Sequence, residues 1–371
     1  MFMRAIRRLP LSTGTGDYPV GRGSVLSSPM GETTMNAIKT AAIVVIAIGL
    51  IAGVVGWVFL DAEKNKEMPT EPVTVAYSPF ESTALFWIAE DQGFFKNNGL
   101  NVIPQKYDSG AAALDGVVNS EADIALGISE FPLVRKAFEN VPVRAIGSID
   151  KGDFIYLVAR RDHGIVNVSD LKGKRIGTAK GTVAEFYLGR FLMLHGMTLR
   201  DITLVDVKTP AGWVDDVAKG DIDAIATAQP YANSARDQLG DNAVSWSVHS
   251  SQPVAGLIIS TDQWLSTHPE QAERFLRSLA EAEEYVHTHP TEARAIVQKW
   301  LGFDDSYMAT VWQQNQFSLT LDQSLVLAME DEARWMIRNN LTNATAVPDF
   351  RNYLYTDGLD TVKPGSVKII R

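Results

Sequence analysis

Cysteine is absent from the 371 residues of this sequence. The absence excludes disulfide bonds, thiolate metal sites, iron–sulfur clusters and cysteine nucleophiles, although it does not decide the redox compartment. The motifs HExxH, GxSxG, GxxxxGKS/T and GxGxxG are absent as well. Histidine remains for acid–base catalysis, but His287 and His289 lie at a predicted helix end, where imidazole complements the helix dipole. We therefore expect neither an enzyme nor a bound cofactor or metal.

Basic residues are scarce after residue 60. The first 60 residues contain five basic and two acidic residues, whereas the remaining chain has 29 basic and 42 acidic residues, a net charge of -13. Because phosphate neutralisation needs a basic surface, we expect no nucleic-acid partner. The net charge also opposes anions, so any affinity for an anion must come from local groups.

An apolar run precedes this acidic body. Residues 41–60, AAIVVIAIGLIAGVVGWVFL, carry no charge and could cross about 30 Å of hydrocarbon as a helix. The run exceeds the apolar core of a signal peptide, and Leu60-Asp61-Ala62 is a poor cleavage site. We therefore predict an uncleaved anchor, with a cleaved signal and a buried core helix as alternatives. The basic residues before the run place the body outside the cytoplasm.

The first 34 residues are rich in glycine, serine and threonine and show no periodicity. We expect this segment to be disordered. A stretch that begins at Met35 would itself serve as an ordinary start of a signal sequence, so the sequence leaves open whether residues 1–34 are translated.

The body alternates short apolar runs with helical patterns, which predicts an α/β fold. The predicted strands form two sets, 73–78, 101–107, 122–127 and 143–149, then 174–179, 203–208, 223–228 and 243–248. The predicted helices are 83–92, 110–119 and 130–139, then 183–196, 212–219 and 231–239, followed by three long C-terminal helices. VVNSEADIALG (117–127) and VAKGDIDAIAT (217–227) share one layout, which favours two similar lobes.

Small and polar residues occupy the points where strands enter helices. They are found in 78–82, at Ser109-Gly110, at Ser129-Glu130, at Gly181-Thr182 and in 229–231. One such residue is usually a helix cap worth about 1 kcal/mol. In open α/β sheets, however, ligands lie beyond the carboxyl ends of strands, where helix N–H groups are unpaired. The set therefore predicts a cleft between two lobes.

Several stretches together resemble the nitrate/sulfonate/taurine branch of ABC-importer substrate-binding proteins. They are LFWIAEDQGFFKNNGLNV, the pair NSEADIALG and KGDIDAIATAQPY, DLKGKRIGTAKGT, and THPEQAERFLRSLAEAEEYVHTHPTEARAIV. The resemblance covers the chain from about Val73 onward. It implies a type 2 periplasmic-binding-protein fold, a two-lobe clamshell with two crossover strands, here near 154–160 and 253–260. It also implies solute binding without chemistry.

With the resemblance, the chain is predicted to have six segments. They are a cytoplasmic N-terminus (1–36), one transmembrane helix (37–60), a linker (61–72), the first part of lobe 1 (73–158), lobe 2 (159–252), and the second part of lobe 1 with the C-terminal helices (253–371). The implied partners are a small solute, an ABC permease and its ATPase, and the membrane through the N-terminal helix. We expect a monomer on the outer face of the cytoplasmic membrane.

Mapped onto this chain, the resemblance implies a cleft lined by the strand-to-helix junctions. The candidate ligand-binding residues are Phe80, Glu81, Ser82, Ser109, Gly110, Ser129, Glu130, Gly181, Thr182, Gln229 and Tyr231, with Trp213 and Lys180 as further candidates.

Two of these candidates, Glu81 and Glu130, do not fit a simple anion site, because a carboxylate beside a sulfonate repels it. Either they point to solvent, or one pairs with a cationic part of the ligand. The second alternative favours an amino-sulfonate or an amine-bearing heterocycle such as a thiamine pyrimidine precursor. A membrane-tethered solute sensor is a further alternative. The fold also hosts a sulfinate desulfinase and a suicidal pyrimidine synthase, but both use cysteine.

Overall fold

The computed structural model describes residues 70–249 and 252–370, which fold into two β-sheets with helices packed on them. The strands are β1 (Glu71–Tyr77), β2 (Leu100–Lys106), β3 (Ile124–Ile128), β4 (Val143–Gly152), β5 (Ile155–Arg160), β6 (Arg175–Thr178), β7 (Thr203–Asp206), β8 (Ala224–Ala228), β9 (Ala243–Ser247), β10 (Val254–Thr261), β11 (Asn315–Asp322) and β12 (Val367–Lys368).

The α-helices alternate with these strands and then dominate the C-terminal part. They are α1 (Ala84–Asp91), α2 (Phe94–Asn97), α3 (Gly110–Val118), α4 (Glu130–Phe138), α5 (Val183–Leu194), α6 (Pro210–Lys219), α7 (Tyr231–Leu239), α8 (Asp262–Thr267), α9 (Pro269–Thr288), α10 (Pro290–Leu301), α11 (Asp305–Val311), α12 (Gln323–Arg338) and α13 (Asp357–Val362). A short 3₁₀ helix, Glu81–Thr83, precedes α1.

Each sheet defines one lobe. The seven-stranded sheet of lobe 1 has the order β12-β11-β4-β10-β3-β1-β2, and the five-stranded sheet of lobe 2 has the order β7-β6-β8-β5-β9. In lobe 1, β1 pairs in parallel with β2 and β3, as strand-helix-strand units require. Strand β10 runs antiparallel between β3 and β4. The predicted α/β class is therefore correct.

The chain passes between the sheets twice. The first passage is the two-residue link 153–154 between β4 and β5, and the second lies between Ser247 and Val254. The crossover predicted near 154–160 corresponds to β5, which pairs only within lobe 2. The one predicted near 253–260 corresponds to β10, a central strand of lobe 1. Each connection is thus shorter than the predicted crossover strand.

Apolar runs explain where the core lies. Strand β3, IALGI, is buried at every residue because it lies in the middle of the larger sheet. Helix α9 buries a stripe at helical spacing against the first sheet and α1. The stripe consists of Ala272, Phe275, Leu276, Leu279 and Ala282. These packed faces hold the strand ends that border the cleft.

The predicted transmembrane helix at 37–60 lies outside the described residues, as do the predicted N-terminal segment and most of the linker. Across 70–249 and 252–370, no helix combines the length and the apolar character that a membrane span needs.

Candidate functional site

A cavity of about 350 Å³ lies between the two lobes. Its walls come from the carboxyl ends of strands in both sheets and from the first residues of the helices that follow them. The volume is at the lower end of the range for small-molecule sites, roughly 300–1,000 Å³. The cavity therefore fits a compact solute.

The lobe 1 wall is rich in hydroxyl groups. The Ser78 hydroxyl follows β1, is buried, and has no hydrogen-bond partner within the described chain. Ser109 caps α3 by accepting the Ala112 N–H at 3.2 Å. Ser129 is the N-cap residue of α4, but its side chain makes no capping bond to the described backbone. The Ser78 hydroxyl, which lines the cavity, can therefore offer a hydrogen bond to a solute.

The lobe 2 wall supplies the charged groups. Lys180, Asp206 and Lys208 all line the cavity. Asp206 accepts the Lys180 backbone N–H at 3.1 Å, and its other oxygen lies 3.9 Å from Lys208 Nζ. Because two lysines and one aspartate line this wall, its net charge is positive even though the body of the protein is acidic.

Aromatic side chains close the cavity on another side. Phe80 of lobe 1 meets Tyr231 of lobe 2 edge-on, with ring centroids 6.3 Å apart, and Tyr231 meets Trp213 at 4.9 Å. The Trp213 indole N–H donates to the Val207 carbonyl at 2.7 Å, which fixes the ring. At the rim, Arg135 of lobe 1 donates to the Gly181 carbonyl of lobe 2 at 3.4 Å. The two lobes therefore touch at two places beside the cavity.

The sequence suggested that Glu81 either points to solvent or pairs with a ligand, and the structure shows neither position. The side chain faces neither solvent nor cavity, because the residue is only 2% exposed and does not line the cavity. Its Oε2 accepts the Tyr307 hydroxyl at 3.0 Å, and Oε1 has no partner among the residues described. Burial raises the pKa of Glu81 to about 7. Asp150, whose pKa burial raises well above its ordinary value, lies nearby.

Glu130 is also buried behind the cavity wall. Its Oε1 accepts the Ala255 backbone N–H at 2.9 Å. Burial raises the pKa of this carboxyl to about 7. The prediction that Glu130 faces solvent or a ligand is therefore wrong as to placement, since the residue connects α4 to the start of β10.

Gln229 holds a turn. Its side-chain oxygen accepts the Asn233 backbone N–H at 3.0 Å, and its side-chain nitrogen donates to the Asn233 side chain at 3.0 Å. Both bonds fix the first turn of α7, so Gln229 supports the wall that Tyr231 completes.

The predicted candidates thus divide into two groups. Those that line the cavity are Phe80, Ser82, Ser109, Gly110, Ser129 and Thr182, together with the further candidates Trp213 and Lys180. Those that border it without lining it are Glu81, Glu130, Gly181, Gln229 and Tyr231.

Some lining residues escaped sequence-based prediction. Asp206 is the last residue of β7 and Lys208 comes two residues later, so their position at a strand end is the signal that points to them. Ala255 and Gly256 lie in β10 and carry no polar signal. A Cβ on Gly256 would lie 3.1 Å from Ser82 Cβ, which explains why the smallest residue occurs there.

The donor set indicates which ligands this cavity can hold. In the ranges that the structure covers, no three histidine or acidic side chains converge as metal ligands. Hydroxyls, ammonium groups and helix amino termini suit an oxyanion, and the aromatic side suits a short apolar body.

Comparison with solved structures defines the class of fold. The alkanesulfonate-binding protein SsuA from Xanthomonas axonopodis pv. citri, bound to MOPS, superposes with a TM-score of 0.67. The match covers 78% of this chain and 99% of that protein at 16% identity. The two lobes are therefore those of the periplasmic-binding-protein fold, as predicted.

Sequence comparison then identifies the family. The NMT1/THI5 like family model matches residues 81–293, more than half of the chain, and the protein belongs to that family. This confirms the resemblance to the sulfonate branch of ABC-importer substrate-binding proteins.

Two curated proteins are also similar to this chain in sequence. A Brucella abortus (strain 2308) protein named as a binding protein is 24% identical over 266 residues, 70% of this chain and 80% of its own. The 4-amino-5-hydroxymethyl-2-methylpyrimidine phosphate synthase of Aspergillus parasiticus is 26% identical over 230 residues, 57% of this chain and 64% of its own.

Proposed function

We propose that the protein is the extracytoplasmic solute-binding component of an ABC importer and that it binds a small organic anion of the aliphatic sulfonate class. The observation that carries this proposal is the division of the cavity into a polar, cationic side and an aromatic side. The solute binds between the lobes, which close on it, and leaves unchanged.

The polar side accounts for recognition of the anionic group. Ser109, Ser129 and Thr182 stand at the amino ends of α3, α4 and α5, where unpaired N–H groups and the helix dipole favour negative charge. Lys180 and Lys208 add full positive charges from lobe 2. These local groups offset the unfavourable field of the acidic body.

The aromatic side accounts for a carbon-containing solute rather than a bare inorganic ion. Phe80, Phe154, Ile155 and Trp213 line this part of the cavity. Burying a methylene group there contributes about 0.8 kcal/mol. The relative that crystallised with MOPS, itself a sulfonate, supports the same ligand class.

The proposal includes location and partners. The apolar run at 41–60 would hold the body on the outer face of the cytoplasmic membrane, where a permease and its ATPase receive the solute. We propose that the protein works as a monomer. Genes for a permease and an ATPase beside its own gene would favour transport over sensing.

A thermal-shift experiment on the full-length chain in mild detergent tests the ligand class. The panel contains ethanesulfonate, taurine, nitrate, bicarbonate and an aminopyrimidine. A ligand that binds only the folded state adds about 2.7 kcal/mol at a hundred times its dissociation constant. We expect stabilisation by the sulfonates, and stabilisation by the uncharged aminopyrimidine alone would overturn the proposal.

The role of the lobe 2 lysines is testable by calorimetry. We expect Lys180→Gln to weaken ethanesulfonate binding about tenfold, because it removes a charge-assisted contact worth roughly 1.5 kcal/mol. Lys172→Gln is the matched control, since Lys172 carries the same charge on the same lobe, outside the cavity, and is exposed. Equal affinities of the two variants would contradict an anion site at Lys180.

A second candidate is an amine-bearing heterocycle, and the Asp206 carboxylate in the cavity wall is the observation that favours it. The similarity to a pyrimidine phosphate synthase gives it further support. That relative's name describes an enzyme, whereas this chain has no cysteine nucleophile. This candidate would be favoured if the parent bound the aminopyrimidine more tightly than ethanesulfonate and if Asp206→Asn removed that preference.

A further inference from the structure

Two buried glutamates lie on helices α4 and α12, which pack against each other beside the cavity wall. Glu130 begins α4 and Glu332 lies on α12, and they are 2% and 1% exposed. One oxygen of each, Oε2 in both cases, has no hydrogen-bond partner in the part of the chain that the structure describes. Buried carboxyl oxygens without donors are costly, so this pair needs a proton or another donor.

Glu130 is joined to two segments of the cavity wall. The preceding residue, Ser129, lines the cavity, and so does Ala255, whose N–H donates to Glu130 Oε1 at 2.9 Å. The glutamate therefore holds the amino end of α4 against the first residues of β10. Its charge also lies one residue from the helix amino end at which an anionic solute would bind.

The charged surroundings do not compensate two ionised carboxylates. Asp331 on α12 acts on Glu332, and both glutamates act on Tyr187 of α5. Among the described residues, Lys151 on β4 contributes the attractive charge to Glu130. Arg190 and Asp153 act on Tyr187. Burial raises the pKa of Glu130 to about 7 and that of Glu332 well above its ordinary value. A proton on one of the two carboxyls removes one of the two buried charges.

We propose that Glu130 and Glu332 form a proton-holding pair that positions the α4 and β10 walls, so that an anionic solute binds together with a proton. The proposal rests on the proposed function, because only an anion near the α4 terminus is repelled by an ionised Glu130. The protonated pair keeps the Ala255 bond, since a neutral carboxyl oxygen still accepts an N–H.

Calorimetry in two buffers of different ionisation enthalpy measures proton uptake directly. With the full-length chain and ethanesulfonate at pH 7.5, we expect uptake of up to about one proton per solute and an affinity that falls up to about tenfold for each pH unit above 7. Glu130→Gln should bind without uptake and with nearly constant affinity from pH 6 to 8. Glu139→Gln, an exposed change near the end of the same helix, should behave like the parent.

Glu332→Gln provides a second variant in case Glu130→Gln does not fold, and it should also reduce the uptake. Binding by the parent without proton uptake would overturn the inference and leave the proposed function intact. An equal loss of affinity at every pH in Glu130→Gln, with uptake unchanged, would show a structural role only and would also overturn it. Failure of the parent to bind ethanesulfonate between pH 6 and 8 would overturn the proposed function as well.

Discussion

Glu81 and Asp150 are two buried acidic residues with too few hydrogen-bond donors among the described residues. Glu81 Oε1 and both carboxyl oxygens of Asp150 lack partners within 70–249 and 252–370. Both residues are at least 98% buried, and the Glu81 charge adds to the raised pKa of Asp150. Burial therefore favours the protonated form of both carboxyls more than exposure to water would.

We expect Glu81→Gln to stabilise the protein above pH 7. The pKa of Glu81 is raised from 4.5 to about 7, so its contribution to stability is fully present below pH 4.5 and is lost as pH rises through 7. A neutral amide removes this loss, which amounts to about 3 kcal/mol at most. Thermal unfolding of parent and variant at pH 5 and pH 8 measures the difference.

Tyr307→Phe is the control for Glu81→Gln, since it removes the hydrogen bond to Glu81 and leaves the carboxyl in place. It should lower stability by about 1 kcal/mol and keep the pH dependence. If the stability of Glu81→Gln changed with pH as much as that of the parent, the raised pKa of Glu81 would not be the cause of the change.

At single residues, the sequence indicates which side chains line the cavity where that position depends on local chemistry, and their binding of a ligand stays a prediction. Ser109 and Thr182 were identified because a small polar residue at a strand-to-helix junction faces the open end of the sheet. Glu81 and Glu130 were misplaced because the residue at the first turn of a helix can point outward or inward. Only contacts with distant residues, Tyr307 and Ala255, decide between the two.

Among the elements, α5 links the lobes most directly. It belongs to lobe 2, yet Gly189 lies against Trp335 of lobe 1, and a Cβ there would come within 2.9 Å of the indole. Arg190 contacts Asp331 of α12 at 3.2 Å. Tyr187 donates to the Gln252 carbonyl at 2.9 Å, beside the second passage between the sheets.

We expect Gly189→Leu to destabilise the protein by about 2 kcal/mol, because the added side chain forces α5 away from Trp335. Helix propensity alone would favour leucine over glycine by roughly 1 kcal/mol. A loss of stability in Gly189→Leu would therefore indicate the packing contact, whereas a gain would indicate helix propensity. Leu194→Ala, at a 58% exposed residue of the same helix, should change stability by less than about 0.5 kcal/mol. Urea unfolding measures both, and a more stable Gly189→Leu would contradict the contact.

Element prediction succeeded for buried strands and helices with a clear apolar stripe. It failed for β11, which is absent from the predicted strands although Phe317, Leu319 and Leu321 alternate inward along it. Polar residues separate these three along β11, which follows α11 in the chain. Its pairing partner, β4, is distant in the sequence, so the local pattern does not indicate the pairing. Long-range pairing of this kind leaves little local signal.

For the whole molecule, one histidine holds the passage between lobes. His249, which is 1% exposed, accepts the Ile155 N–H on Nε2 at 2.8 Å. Its Nδ1 lies 3.2 Å from the Gln252 carbonyl and 3.5 Å from Asp153. Since Nε2 accepts, the neutral ring carries its proton on Nδ1. Burial lowers the pKa of His249, which keeps this form near neutrality.

We expect His249→Leu to lower stability by about 2 kcal/mol at pH 7.5, because the buried Ile155 N–H loses its acceptor. A lowered pKa means that the contribution of His249 is present above pH 6.5 and is lost as pH falls through the folded-state pKa. The variant should therefore approach the parent in acid. Urea unfolding at pH 7.5 and 5 tests this, with the exposed His287→Gln as control.

Pairing between β4 and β10 sets an order of folding during synthesis. Val254 pairs with Gly152, and all of lobe 2 lies between these two strands in the sequence. The last strand of lobe 2 ends at Ser247, so its sheet can be complete while β10 is still missing from the middle of the other. Until β10 is made, about a hundred residues after β4, β3 therefore lacks a partner on one edge and β4 lacks a partner on both. Open strand edges of this kind can pair with another chain, so the late arrival of β10 exposes the unfinished sheet to aggregation during synthesis.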